Sequence, residues 1–253
     1  MTISTILWTL LATICLVQVS NFCTTIYLHR TMTHRGIKLH PVVAFLMHLE
    51  LLLATGIVPR ERAAVHRKHH QFSDQEGDPH SPYIEGLWKV LFFNVLMYRK
   101  EIRNPGTVQK YTPEWKNDLL DRIPRAGRLG PILGICLLGL AFGPLLNVSF
   151  WTGAALGLAS WVSHAGIYVL LNSMVNSVCH KVGYRTFDNL ATNLQWVAWI
   201  TAGEGLHNNH HEFPTSARMK AQNGEIDPAW PVIRLLAKLG LAEYREGALA
   251  RAA

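Results

Sequence analysis

Nine histidines in four short clusters carry the chemistry available to this chain: His29 and His34; His66, His69 and His70; His180; and His207, His210 and His211. Imidazole is the commonest metal ligand near neutral pH. The pattern H-x-x-H-H occurs twice, at 66–70 and 207–211. On a helix, residues three and four apart share a face, so each pattern sets its first and last histidine together with the middle one adjacent. Packing gives no reason for three imidazoles within five residues, twice over, whereas a metal does. His29 and His34 are five apart, about 140° around a regular helix, so they are expected to serve different metals or to sit where a helix ends. Asn176 lies one turn before His180 on the same face, in Asn176-Ser-Val-Cys-His180.

Nine imidazoles exceed what one tetrahedral zinc takes, and even one six-coordinate iron cannot use them all, so two metals are implied. The clusters contain no thiolate and no carboxylate. That leaves an all-nitrogen dinuclear site for a redox metal, iron being the best fit, which points to O2 activation rather than hydrolysis.

The elements that must hold these residues are apolar. Of 253 residues, 49% are hydrophobic and 16% charged, with the apolar ones gathered in runs. Residues 129–179 contain no Lys, Arg, Asp or Glu, which is room for two spans of roughly 20 residues. Residues 7–28 are also free of charge, and a third apolar run covers 41–58. The net charge of +7 does not indicate nucleic acid, since no basic stretch is interleaved with aromatics. No Lys or Arg occurs in 1–29, 41–59 or 129–180, as expected if the connecting regions face the cytoplasm. The start has no basic region and no small-residue cleavage site, so the first run is expected to be a retained anchor. The four cysteines, Cys15, Cys23, Cys136 and Cys179, form no C-x-x-C pair and are expected as reduced packing residues.

Clusters that share a site must lie on one side of the bilayer, and this decides which runs cross. Residues 129–147 and 151–175 form a hairpin whose two crossings return His180 to the side of His70. Residues 41–58, interrupted by His48 and Glu50, cannot cross fully and are expected to be re-entrant, or buried in protein near the interface. Residues 190–206 carry Trp196 and Trp199 and suit an interfacial helix. A further amphipathic helix is expected over 85–103, ended by Asn104-Pro105-Gly106, in a cytoplasmic cap. Asp227 and Pro228 open a tail helix bearing Trp230, Ile233, Leu236 and Leu239. The expected architecture is therefore a single domain, 1–253: an all-α integral membrane protein with about three transmembrane helices, re-entrant and interfacial helices, and a cytoplasmic helical cap over the histidines.

His29-Arg-Thr-Met-Thr-His34, His66-Arg-Lys-His-His70, Asn176-Ser-Val-Cys-His180 and His207-Asn-Asn-His-His211, with Ser73-Asp-Gln-Glu-Gly-Asp-Pro-His80 after the second box, resemble the ordered boxes of the membrane fatty acid desaturases of the stearoyl-CoA (Δ9) type. The similarity covers most of the chain from Asn21 onward. The resemblance implies that the nine histidines hold two Fe ions, that Asn176 holds one of them through a water, and that O2 is used there to remove two hydrogens from adjacent methylenes, leaving a cis double bond. It implies an acyl-CoA or other acyl-carrier substrate, and electrons from a separate ferredoxin, rubredoxin or cytochrome b5-type donor. It also implies a bacterial inner membrane with the site facing the cytoplasm. Arg99 and Lys100 resemble the basic pair that meets the phosphates of coenzyme A, although a solvated cationic face near lipid headgroups accounts for them nearly as well. By analogy with how the family closes its tunnel, Thr13 and Val17, on one side of the first helix, are expected to set acyl chain length. The family usually carries a pair of spans before the first box and one fits here, so the amino terminus is expected outside, or the true start upstream.

Metal-bound histidine donates its other nitrogen, so Glu204, Asp78, Asp74 and Asp188 are candidates to accept it, Glu204 being best placed one turn before His207. His164 is expected to be a buried hydrogen-bonded residue and His80 a turn residue. The same scaffold would serve a fatty acyl hydroxylase or alkane monooxygenase, which differ only after the first hydrogen is removed. A metal transporter fits poorly, because polar residues do not run through the spans.

Overall fold

The structure, a computed structural model, describes residues 2–245. Helix α1 (Ile3–Cys23) starts at Thr2, whose side chain accepts from the Thr5 amide, and runs without interruption into a π-helical segment, Thr24–Thr33. A short strand β1 (Ile37–Leu39) leads to α2 (Pro41–Thr55). His40 caps α2 by accepting from the Val42 amide, and Pro41 occupies its first position, where a missing N–H costs nothing. Gly56 ends α2 at φ 69°, and a Cβ there would lie 2.4 Å from the Gly127 carbonyl oxygen, so only glycine fits. Helix α3 (Pro59–Phe72) then leaves at 89° to α2. The bend interrupts the run expected not to cross fully: its apolar arm packs on α1 and on the later helix Ala126–Leu145, and its polar arm carries His66, His69 and His70.

Helices α4 (Leu87–Ile102) and α5 (Pro105–Tyr111) follow. Asn104 does not simply end a helix, as expected; its side chain accepts from the Gly106 amide and starts α5. The outer face of α4 exposes Trp88, Phe92, Phe93 and Leu96, an apolar surface suited to lipid rather than to water.

The hairpin expected from 129–175 is α6 (Ala126–Leu145) and α7 (Phe150–Ser177), packed closely along their length. Gly157 makes this possible, since a Cβ on it would stand 2.4 Å from the Gly139 amide nitrogen. A 3-10 turn, Val178–His180, extends α7. Three helical stretches, Ile3–Thr33, Ala126–Leu145 and Phe150–His180, are long and apolar enough to cross a membrane.

Residues 190–206 are helical only in α8 (Gln195–Ile200), with Trp196 and Trp199 exposed. Helix α9 (His207–Glu212) carries the last histidine box, and α10 (Ala229–Lys238) and β2 (Ala242–Tyr244) close the described chain. Strands β1 and β2 pair antiparallel, Ile37 opposite Tyr244, a ribbon too short to stand out in the sequence. Asp227 takes more than the capping role expected of it. It accepts from the Ala229 amide at 3.2 Å and also holds the buried Arg30 guanidinium through both oxygens at 2.8 and 2.9 Å, tying the carboxy-terminal segment beneath the first histidine box. The four cysteines are free, Cys23 and Cys179 buried.

Candidate metal centre

The nine histidines converge into two groups whose ligand atoms lie within 4.8 Å of one another: His29, His34, His66, His70 and His210 in one, His69, His180, His207 and His211 in the other. The two H-x-x-H-H boxes are split in opposite senses. Box 66–70 gives its outer pair to the five-histidine group and its middle residue to the other, while box 207–211 does the reverse. Helical spacing explains each outer pair; the crossing of α3 and α9 interleaves them.

Of the two expectations for His29 and His34, the second holds: they join one group, and His34 caps the end of the π-helical segment. A π-helix closes its hydrogen bonds from i to i+5, so five residues make little more than one turn. The Thr31 and Thr33 hydroxyls donate to the carbonyls of Ile26 and Leu28 five residues back, each at 2.7 Å, and the His34 amide donates to the His29 carbonyl at 3.0 Å. The rings of His29 and His34 meet with centroids 4.9 Å apart.

Hydrogen bonding within the protein cannot satisfy these rings. His29 Nε2 lies 2.9 Å from His66 Nε2 and 3.0 Å from His210 Nε2, and His210 Nε2 also lies 2.9 Å from His70 Nε2. A ring nitrogen offers one proton or one lone pair, so such nitrogen-to-nitrogen contacts cannot all be made. His34 Nε2 and His180 Nε2 are buried without any partner among the described residues. Convergent lone pairs with no protons between them fit a cation. Burial, then repulsion from neighbouring imidazoles, holds the pKa values of His34, His66, His70, His207, His210 and His211 well below the ordinary histidine range, which favours the neutral, ligating form.

Three of the four candidate acceptors are in place. His180 Nδ1 donates to Asp74 at 2.6 Å, and His69 Nδ1 to Asp78 with both oxygens at 3.0 Å. A Glu204 oxygen lies 2.6 Å from His29 Nδ1, off the line of an ideal hydrogen bond, and Thr25 donates to the other oxygen. Burial opposes the Glu204 charge, but His29, Arg30 and Thr25 outweigh it and hold the carboxyl below its usual range. Asp188 is exposed and meets no imidazole among the described residues; its exposure excludes the role expected of it.

Beside the histidines lies a chamber of about 20 Å³ lined in part by His29, His66, Glu204 and His207, room for about one water. Against it stands a cavity of about 720 Å³, and Arg62, Asn172 and Asn176 line both. Asn176 thus stands between the histidines and an open volume. Arg99 lines the large cavity with Arg103, Arg125 and Arg128, all exposed. Lys100 is exposed and off that wall, because it follows Arg99 by 100° around α4. Thr13 and Val17 are also off the wall: Thr13 bonds Ser160 of α7 at 2.7 Å and Val17 is buried. Their helix face is consumed by packing rather than lining a tunnel.

The family model for fatty acid desaturases matches residues 6–244. The chain belongs to the fatty acid desaturase family. It is therefore an oxidoreductase held in the membrane by its apolar helices. It is 33% identical to the Delta-9 desaturase-like 2 protein of Arabidopsis thaliana over 90% of this chain and 74% of that protein. With acyl-CoA 5-desaturase AL21 of Anemone leveillei the identity is 35%, over 87% of this chain and 66% of the other. With the sn-1 stearoyl-lipid 9-desaturase of Anabaena variabilis it is 32%, over 86% and 76%. The chain thus spans between about two thirds and three quarters of these relatives' length.

Residues around the desaturase boxes that sequence reasoning passed over are Arg62 and Asn172. Helical spacing carried a signal for both, since Arg62 precedes His66 by four and Asn172 precedes Asn176 by four. His80 is in a turn as expected, yet it is buried and stacks on His69 with centroids 4.6 Å apart. His164 is buried and bonds Ser20 at 2.9 Å, as expected. His48 bonds Asp118 at 2.6 Å.

Proposed function

We propose that this desaturase inserts a cis double bond into an acyl chain at a di-iron centre held by the nine histidines, using O2 and two electrons from a separate protein. The observation that carries this reading is the wall of Arg62, Asn172 and Asn176 shared by the histidine chamber and the large cavity. It brings a substrate-sized volume against the convergent imidazoles. Two irons would supply the one-electron redox chemistry by which O2 takes hydrogen from an unactivated methylene.

The chain's own residues do the rest. Asp74, Asp78 and Glu204 take the outward nitrogens of His180, His69 and His29 and fix which nitrogen faces the metals. Asn176 would hold a metal through a water, for which the small chamber has room. The exposed arginines around the cavity, Arg99 among them, take a phosphate-bearing head such as coenzyme A. The balance is one O2, two electrons, two protons and a –CH2–CH2– unit, giving –CH=CH– and two waters. Position 9 is the first expectation, supported by relatives whose names carry Delta-9; a name carrying position 5 makes that the second. The absence of Lys and Arg from 1–29 and 129–180 supports a cytoplasmic site in an inner membrane, reached by a ferredoxin, rubredoxin or cytochrome b5-type donor.

The test is mass spectrometry of lipids from cells expressing the chain, against a His70→Ala control. A new monounsaturated acyl chain that the control lacks is the expected result. A hydroxylated chain without an alkene would instead identify a hydroxylase on this scaffold and overturn the reading.

A further inference from the structure

Arg62 stands apart from the other cations of its helix. Arg60 donates to Thr112 at 3.0 Å, and Arg67 donates to the carbonyls of Thr33, Tyr111 and Met32 and to Glu114. Arg62, half-buried, has no side-chain partner among the described residues, and the adjacent Glu61 is taken by the Tyr98 hydroxyl at 3.4 Å. It nevertheless lines both the chamber at His29 and His66 and the large cavity. Its guanidinium faces these volumes and is open to an acceptor from outside the chain. The large cavity's wall also holds the buried Nδ2 of Asn94, which has no partner among the described residues. The four other arginines on the wall, Arg99, Arg103, Arg125 and Arg128, are exposed and so stand at the rim.

Resting on the acyl desaturase reading above, we infer that Arg62 is a specificity-determining residue that binds the acyl carbonyl oxygen inside the cavity and thereby sets which methylenes reach the histidines. The rim arginines hold the phosphates of the carrier and contribute affinity. Arg62 is one turn from His66, about 6 Å along the helix, so it measures the chain from its carboxyl end at fixed distance from the metals. Without it the head settles back among the rim cations, more carbons separate carbonyl from metals, and the double bond moves toward the methyl end.

The experiment uses purified holoenzyme and stearoyl-coenzyme A. Without O2, calorimetry is expected to show binding weakened about tenfold by Arg62→Gln, as for loss of a hydrogen bond from a charged donor. Arg62→Lys, which keeps the charge and loses the fork, weakens it about threefold. With O2 and a reductant, the Arg62→Gln product carries its double bond nearer the methyl end or spread over neighbouring positions. Arg125→Gln weakens binding and leaves the position alone. Wild-type binding and an unmoved double bond in Arg62→Gln overturn the inference, as does an equal displacement in Arg125→Gln. If Arg62→Gln is inactive, binding alone decides, and if it does not fold, wild-type binding by Arg62→Lys overturns the inference. If the wild type itself makes no double bond, the desaturase reading fails, while the binding arm still tests Arg62.

Discussion

The five-histidine and four-histidine groups are built from the same boxes but are braced differently. In the five-histidine group one ring, His29, meets a carboxylate, and His34 and His70 are half-buried, as is His211 of the other group. In the four-histidine group His69 and His180 are fully buried and each donates to its own aspartate, while His211 Nδ1 lies 3.3 Å from the Ser73 hydroxyl. One group relies on the number of donors and the other on their orientation. The first should keep its metal better on losing a ring, and the second should depend for its metal on each ring and on what holds it.

The largest expected effects come from deleting rings. His70→Ala and His207→Ala each lower desaturation by more than about 100-fold, because both metals are needed for the two-electron step. Metal content separates them. Against a graded chelator, His70→Ala, with four rings left, retains more metal than His207→Ala, with three. Equal retention, measured by elemental analysis of purified protein, would sink the distinction.

Next come the carboxylates. Asp74→Asn removes the charge that orients His180 and is sterically mild, because Asp74 sits at φ 60°, a region asparagine tolerates. Metal affinity of the four-histidine group should fall by about 10- to 100-fold. Glu204→Gln should cost its group less, four further rings being in place. The comparison breaks if Glu204→Gln proves the more damaging of the two in the same titration.

Acid should act on both groups. In the five-histidine group His34, His66, His70 and His210 are held well below the ordinary range, chiefly by burial. In the other group, outside the spans, His207 and His211 are. As pH falls below about 6.5, free imidazoles in the unfolded chain take protons that the folded chain refuses, so stability of the metal-free protein falls with pH. Asp78, held below its usual range against its burial by His69, contributes stability above the ordinary carboxylate pKa and loses it only at lower pH, outside this window. The metal-free protein should therefore unfold at a lower temperature as pH falls from 8 to 5. Thermal unfolding across that range checks this, and an unchanged midpoint counts against it.

These groups were legible as far as local spacing reaches. Each outer pair in an H-x-x-H-H box follows from helical geometry, and the choice of crossing runs followed from requiring all four clusters on one side. What was not legible depends on choices that spacing does not encode. The π-helical winding rests on the Thr31 and Thr33 hydroxyls reaching carbonyls five back rather than four, and a regular helix would have parted His29 from His34. The division of each box between two groups rests on how α3 crosses α9. Arg30 and Asp227 pair across 197 positions, and the clue was a lone arginine at the end of an otherwise uncharged run. Asp188 looked as eligible as Asp74 because exposure is a tertiary property.

The smallest effects are expected where the sequence and the structure part, on α1. If Thr13 and Val17 lined the acyl tunnel, Thr13→Ala would lengthen the accepted chain and Val17→Trp would shorten it. The structure gives Thr13 to Ser160 at 2.7 Å and buries Val17. Thr13→Ala then removes a hydrogen bond worth about 1 kcal/mol, leaving Ser160 to bond elsewhere. Val17→Trp overpacks the α1 face at a cost of about 1–3 kcal/mol. Neither alters the distribution of product chain lengths, because neither side chain reaches the volume that Arg62 and Asn176 border. Thermal unfolding beside gas chromatography of the acyl products reads both quantities. A product profile shifted by two carbons in Val17→Trp, with little loss of stability, would return that face of α1 to the tunnel.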